Sequence, residues 1–166
     1  MSSRGVFERT VPIRFSHCDP AGIVYYPRYL VLTQWLVEDW FNEGLGIGFA
    51  DFIGRRGLGL PVATLRYDFA EPARQGDALC LRLSVLRLGR RSFTVSIEGE
   101  VGGRVKLRAE QVLVTTSLAT ERAIDIPDDL RAAVELFGVT GPTTAQTPVT
   151  RTFGSSQRPR IANLPI

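Results

Sequence analysis

Residues 15–30 read FSHCDPAGIVYYPRYL, a stretch that joins a loop carrying one acid to the start of a helix. Pro20 and Gly22 interrupt regular structure, whereas Pro27 is tolerated in a first helical turn. The pattern therefore predicts that Asp19 lies in a loop just before a helix N-terminus. Backbone N–H groups at such an end lack partners within the helix and attract negative charge. This arrangement suits acyl-transfer chemistry, although an Asp before a helix is also a common capping or turn residue.

Helix-like and strand-like patterns follow one another along the chain. Alternating apolar and polar residues predict a strand over 7–15, and apolar residues at helical spacing predict a long helix to about Glu43. The apolar arc of this helix is wide, so we expect a central helix covered on several sides. Two short helices are predicted over 49–56 and 127–137. Four long strands are predicted over 61–71, 77–88, 92–101 and 104–119.

These elements predict an α+β fold. We expect the four long strands to form an antiparallel meander to which the first strand is added. The result is a curved antiparallel sheet of about five strands wrapped around the long central helix.

The last predicted strand has an irregular apolar pattern. Leu107 and Ala109 follow one alternation, whereas Val112 and Val114 follow the other. This change near Glu110 predicts either a bulge or a change in which face of the strand is covered.

Length and composition are those of an ordinary globular protein. The chain has 166 residues, of which 44% are hydrophobic and 22% charged. We expect one domain over 1–138 and a tail rich in Pro, Thr and Arg over 139–166, either loosely attached or closing over a ligand. The sequence contains no long apolar run and no apolar signal segment, so we expect a cytoplasmic protein without a membrane partner.

The chain has few residues for metal, disulfide or cysteine chemistry. Its only histidine is His17 and its only cysteines are Cys18 and Cys80, so we expect no metal, no other cofactor and no disulfide framework. Adjacent residues of an extended segment point to opposite sides, which disfavours a Cys18–His17 dyad. The net charge of +3 comes with no nucleic-acid-binding motif, so we expect no nucleic-acid partner.

The segment from Asp19 to Tyr29 resembles the active-site segment of the 4-hydroxybenzoyl-CoA thioesterase family of hotdog-fold proteins. The order of a long helix, a short helix and four strands also resembles that family over roughly residues 7–135. The resemblance implies a hotdog fold that hydrolyses acyl-CoA, with Asp19 as nucleophile or general base and the backbone N–H of Tyr26 as the oxyanion donor. With a tyrosine at position 26, the segment resembles the branch of the family that acts on aromatic, benzoyl-type acyl groups.

The resemblance also implies a site for the phosphates of CoA. It assigns these contacts to Arg90, Arg91 and Ser92, whereas Gly89 stands where close relatives carry a further basic residue. Charged turn residues are usually solvated, but guanidinium groups suit phosphate recognition. For the pocket wall, the candidates are His17, which could instead cap the first strand, and Tyr25.

Several alternatives stay open at this point. The substrate could be an aliphatic acyl-CoA or an acyl-carrier-protein thioester, or the protein could bind acyl-CoA without hydrolysing it. A CoA-ester dehydratase would need a His/Asp pair on the long helix, which contains no histidine. Because hotdog domains of this kind pair through their sheets, the resemblance implies a homo-oligomer. We expect at least a dimer and, more specifically, a homotetramer.

Overall fold

The computed structural model of the protein describes residues 5–141. The helices are α1 (Tyr26–Asp39), α2 (Phe49–Ile53) and α3 (Asp128–Phe137). The strands are β1 (Phe7–Pro12), β2 (Leu58–Gly59), β3 (Val62–Phe69), β4 (Ala78–Leu88), β5 (Ser92–Val101), β6 (Arg104–Val114), β7 (Thr116–Ser117) and β8 (Arg122–Ala123). The predicted α+β class and order of elements are confirmed. The predicted tail lies outside the described residues from position 142 onward.

Five strands form one antiparallel sheet in the order β1-β4-β5-β6-β3. Between β5 and β6, Gly102 and Gly103 have φ angles of 56° and 74°, as a two-residue hairpin turn requires. The prediction that all four long strands form a meander is wrong, because β3 pairs with β6 at the far edge of the sheet. A strand has only two edges, and those of β4 are already taken by β1 and β5.

The inward-facing residues of β6 form one unbroken alternating row. They are Leu107, Ala109, Gln111 and Leu113, each at most 4% exposed. The predicted change of face near Glu110 is therefore wrong. A pairing irregularity does lie close by, because the β3–β6 register shifts between Val62 and Thr64, which oppose Leu113 and Val112. The irregularity in the β5–β6 pairing lies farther away, between Gly99 and Glu100. Gln111 belongs to the buried row although it is polar, because its side-chain amide donates to the Tyr67 hydroxyl at 3.2 Å.

The long helix packs against the inner face of the sheet. Its pattern continues to Glu43 as predicted, because a π-helical turn over Trp40–Gly44 follows α1. The fully buried ring of Trp40 stands edge-to-face with Phe93 on β5 and Phe137 on α3. On the outer side of α1, however, Val31 and Trp35 are 39% and 51% exposed. The expectation of a helix covered on several sides thus fails for this face within one chain.

The remaining elements close the ends of this core. Strands β2, β7 and β8 form a separate small sheet. The Arg56 guanidinium donates to both carboxylate oxygens of Asp129, at 2.7 and 3.0 Å, and so ties the segment after α2 to the first turn of α3. Within residues 5–141, no helix is long and apolar enough to cross a membrane.

Candidate active site

Asp19 lies at the tip of a short antiparallel loop. Cys18 and Val24 form a β-bridge, and the Asp19 N–H donates to the Ile23 carbonyl at 3.0 Å. Gly22, with φ of 71°, adopts the left-handed conformation, and its N–H donates to the Asp19 carbonyl at 2.9 Å. The chain therefore reverses within five residues and brings Asp19 back toward the start of α1.

Two backbone bonds and one bond to a side chain fix this loop to the helix and to the sheet. The Tyr25 N–H donates to the His17 carbonyl at 2.9 Å, and the Val24 N–H donates to the Ala73 carbonyl at 2.9 Å. The Ala73 N–H in turn donates to the Tyr29 hydroxyl at 3.1 Å. The loop, the first turn of α1 and the segment before β4 are thereby held as one unit.

The first N–H of α1 is available to a ligand. The helix begins at Tyr26, and Pro27 carries no N–H. The Arg28 N–H uses the Tyr25 carbonyl at 2.8 Å, while no residue of the described 5–141 accepts a bond from the Tyr26 N–H. This N–H lies at the positive end of the helix dipole and can receive a developing negative charge.

The Asp19 carboxylate is held through one of its oxygens. Its Oδ1 accepts a bond from the Ala21 N–H at 2.8 Å, so the residue forms an Asx turn as the capping alternative requires. Among the described residues, no side chain pairs with Asp19, and its Oδ2 accepts no hydrogen bond. The half-buried carboxylate is therefore oriented by the turn and still has one oxygen free for chemistry.

The side chains of His17 and Cys18 make structural contacts with the backbone of Arg14, so neither residue needs a catalytic role to account for it. His17 is 8% exposed, and its Nδ1 accepts a bond from the Arg14 N–H at 3.1 Å. Burial lowers the pKa of His17, and the charges of Arg28 and Arg14 lower it further. The Cys18 thiol lies 3.6 Å from the Arg14 carbonyl and is free, as is the thiol of Cys80.

Arg90 and Arg91 occupy the β4–β5 turn and converge on one acid. Each guanidinium donates through Nε to Asp125 at 2.9 Å, Arg90 to Oδ2 and Arg91 to Oδ1. The hydrogen bonds from Arg91 and Arg90 hold the pKa of Asp125 below its ordinary value. Sequence reasoning missed Asp125, and no local signal marks it, because it follows Arg91 by 34 residues.

The backbone of this turn is also held from outside. The Gly89 N–H donates to the Ser92 carbonyl at 2.8 Å, and the Ile126 N–H donates to the Arg90 carbonyl at 2.9 Å. Arg131, on α3, donates to the Gly89 carbonyl at 2.6 Å and places a third guanidinium beside the turn. Sequence reasoning also missed Arg131. Its guanidinium contacts Gly89, the position at which the resemblance implies a further basic residue that this sequence lacks.

The predicted site residues thus fall into two groups. Asp19, Tyr25, Tyr26 and His17 share the loop–helix junction, whereas the Arg90–Ser92 turn is separate. No hydrogen bond or ion pair among the described residues joins the two groups. Within residues 5–141, no three His, Cys, Asp or Glu side chains lie close enough to hold a metal ion.

An antiparallel sheet packed on a long helix, with a carboxylate loop at the helix N-terminus, defines a hotdog domain of the thioesterase type. The family model described as the thioesterase-like superfamily matches residues 13–134. The chain belongs to this superfamily and is by that membership a thioester hydrolase. The resemblance noted in the sequence is confirmed.

Relatives named for the hydrolysis of CoA thioesters match most of the chain. A 4-hydroxybenzoyl-CoA thioesterase of a Pseudomonas species is 31% identical over 128 residues, which cover 70% of this chain and 89% of the relative. A 1,4-dihydroxy-2-naphthoyl-CoA hydrolase of Nostoc punctiforme is 27% identical over 124 residues, covering 75% and 82% of the two chains.

Solved structures agree on the fold. A gentisyl-coenzyme A thioesterase is 25% identical with a TM-score of 0.69, covering 78% of this chain and 98% of its own. A 1,4-dihydroxy-2-naphthoyl-CoA thioesterase from Synechocystis has a TM-score of 0.73 at 22% identity, covering 78% and 96%. The predicted hotdog fold is confirmed.

Proposed function

We propose that the protein hydrolyses an aromatic acyl-CoA to the free acid and CoA. The observation that carries this proposal is the unpartnered Tyr26 N–H at the start of α1, in the same loop–helix unit as the Asp19 carboxylate. The two relatives described above are named for aromatic CoA thioesters, which supports the same substrate class.

In this mechanism, the thioester carbonyl oxygen accepts a hydrogen bond from the Tyr26 N–H. When the carbonyl carbon becomes tetrahedral, this oxygen gains negative charge, and the N–H and the helix dipole stabilise it. One such donor is worth about 10²–10³ in rate. The free Oδ2 of Asp19 either attacks the carbonyl carbon to form a mixed anhydride that water then hydrolyses, or removes a proton from an attacking water. Both routes expel the CoA thiolate and yield the same acid.

Exposed aromatic side chains beside the junction support an aromatic acyl group. The rings of Tyr25 and Tyr26 are at least half exposed and stand edge-to-face at 5.4 Å. The ring of Tyr29 is buried and lies 5.6 Å from a further exposed ring, that of Phe69 on β3. Such rings offer both faces and edges for offset or T-shaped contacts with a bound ring. In this proposal Tyr25 lines the pocket and His17 holds the loop behind it.

The CoA part of the substrate binds at the turn that carries Arg90, Arg91 and Ser92. Two guanidinium groups that converge on one carboxylate can converge equally on a phosphate. This turn is far from the Asp19 loop in sequence, and no direct bond joins the two. Both facts are consistent with a site to which two copies of the chain contribute.

A second copy of the chain pairs along β3. This strand is an edge of the sheet, and its residues Val62, Leu65 and Phe69 are 41–44% exposed. A long apolar edge strand of this kind is an aggregation hazard unless another strand covers it. The outer face of α1, with Val31 and Trp35 exposed, offers a further apolar surface for a tetramer.

A hydrolysis panel of benzoyl-, hydroxybenzoyl-, phenylacetyl- and fatty acyl-CoA tests the proposal. We expect the highest kcat/KM for a benzoyl-type thioester. Preference for a fatty acyl-CoA would overturn the substrate class, as would faster hydrolysis of an acyl-carrier-protein thioester assayed beside the panel. Tight binding of the panel without hydrolysis would overturn catalysis and establish a binding protein.

A further inference from the structure

The Asp125 carboxylate occupies the position at which the two turn arginines converge. One carboxylate oxygen accepts from Arg90 and the other from Arg91, both at 2.9 Å. Each arginine contributes only its Nε–H to this contact, so the carboxylate defines an anion-binding position between the two side chains. A phosphate at the same position can accept the same two bonds.

The backbone holds Asp125 at this position. The residue before it, Ile124, donates to the Thr115 carbonyl at 2.9 Å, and the residue after it, Ile126, donates to the Arg90 carbonyl at 2.9 Å. Thr115 also bonds the Arg91 carbonyl through both its N–H and its hydroxyl, at 2.9 and 3.1 Å. The turn and Asp125 are therefore parts of one hydrogen-bonded frame, which keeps the backbone of Asp125 beside the two arginines.

The contact is nonetheless easy to break. The side chains of Arg90 and Arg91 are 77% and 54% exposed, and that of Asp125 is 51% exposed. Ion pairs this exposed contribute little, because water replaces each partner at low cost. A phosphate brings up to two charges and more acceptor oxygens, so it can compete with the carboxylate for the same donors.

We propose that Asp125 is a built-in competitor of CoA, which fills the phosphate position between Arg90 and Arg91 in the free protein and leaves it when CoA binds. The inference rests on the proposed function, since it requires that this turn receives a CoA phosphate. By occupying the position, Asp125 weakens CoA binding and favours release of the CoA product after hydrolysis.

The test compares the D125N and D129N variants by isothermal titration with CoA. Asp129 is the matched control, because it is also an exposed aspartate paired with an arginine, Arg56, away from the turn. We expect CoA to bind D125N about fivefold more tightly, the effect of removing one unit charge a few ångströms away in a solvent-exposed setting. D129N should bind CoA like the unchanged protein. Unchanged or weaker binding to D125N would overturn the inference.

A second arm separates this inference from the phosphate site itself. The Arg90→Ala/Arg91→Ala variant should bind CoA more weakly, and failure to do so would overturn the proposed CoA site. If the double variant weakens binding but D125N does not tighten it, only the competitor role of Asp125 is wrong. Repeating the titrations with dephospho-CoA, which lacks the 3′-phosphate, shows which phosphate is involved. If the arginines bind the 3′-phosphate, D125N should no longer bind this ligand more tightly than the unchanged protein does. If they bind the diphosphate, the tighter binding should persist. Thermal melts of each variant verify that it is folded.

Discussion

The carbonyl oxygen of His17 accepts a hydrogen bond from the backbone N–H of Tyr25 at 2.9 Å. This bond joins the residue two positions before Asp19 to the residue immediately before the Tyr26 N–H. The carboxylate and the helix N-terminus are thus connected by a loop closed at its base, and the geometry of the junction depends on His17 staying in place.

The buried His17 should make stability depend on pH. Burial lowers its folded-state pKa below the ordinary 6.5, so as the pH falls below 6.5 the unfolded chain takes up a proton that the folded protein resists. This contribution to the free energy of unfolding is full above pH 6.5 and is lost as the pH falls through the lowered pKa. In H17N, the amide oxygen can accept the Arg14 N–H without titrating.

Urea unfolding of both proteins at pH 7.5 and 5.5 measures this effect. The free energy of unfolding should fall more between these values in the unchanged protein than in H17N. An equal fall in the two proteins would show that the histidine titrates as it does in the unfolded chain.

Proline at position 26 should remove the proposed oxyanion donor with little structural cost. The first position of a helix tolerates proline, and Tyr25, with φ of −66° and ψ of 121°, already has the extended backbone that precedes a proline. We expect Y26P to lower kcat by about 10²–10³, whereas Y26A, which keeps the N–H, should lose far less. Steady-state kinetics on the preferred thioester tests this, and equal losses in the two variants would assign the effect to the tyrosine ring.

A charge on the outer edge of β3 should separate the copies of the chain. Leu65 is 44% exposed in one chain, so L65D should leave the monomer folded while it places a carboxylate in the proposed strand pairing. Size-exclusion chromatography should show a smaller species, and activity should fall with it. L136D is the control, because Leu136 is 77% exposed on α3, away from this edge. An unchanged elution volume for L65D would contradict pairing along β3.

Elements with a regular local pattern were predictable from sequence. Strand β5 has the predicted bounds, 92–101, because its apolar and polar residues alternate without interruption. The partner of β3 was not predictable in this way, since strand pairing depends on which edges the rest of the sheet leaves open. The burial of Gln111 was missed because an alternation rule counts only apolar residues as inward-facing, whereas Tyr67 and Thr33 provide partners for the amide.

The same distinction applies to the candidate site. Asp19 and Tyr26 lie in one short stretch, so their relationship follows from local loop and helix patterns. Asp125 reaches the arginine turn only through the folded arrangement of β6 and the segment after it, with 34 residues between it and Arg91. A contact of this range leaves no trace in local spacing.

If the Asp19 carboxylate performs the chemistry, its loss should appear in the kcat of the Asp19→Asn variant. Asparagine can still accept the Ala21 N–H through its amide oxygen, so the turn should survive. Titration with CoA should give an unchanged dissociation constant, while kcat for the preferred aromatic acyl-CoA should fall by about 10² or more, as expected for loss of a nucleophile or general base. Turnover close to that of the unchanged protein would show that the Asp19 carboxylate is neither the nucleophile nor the general base.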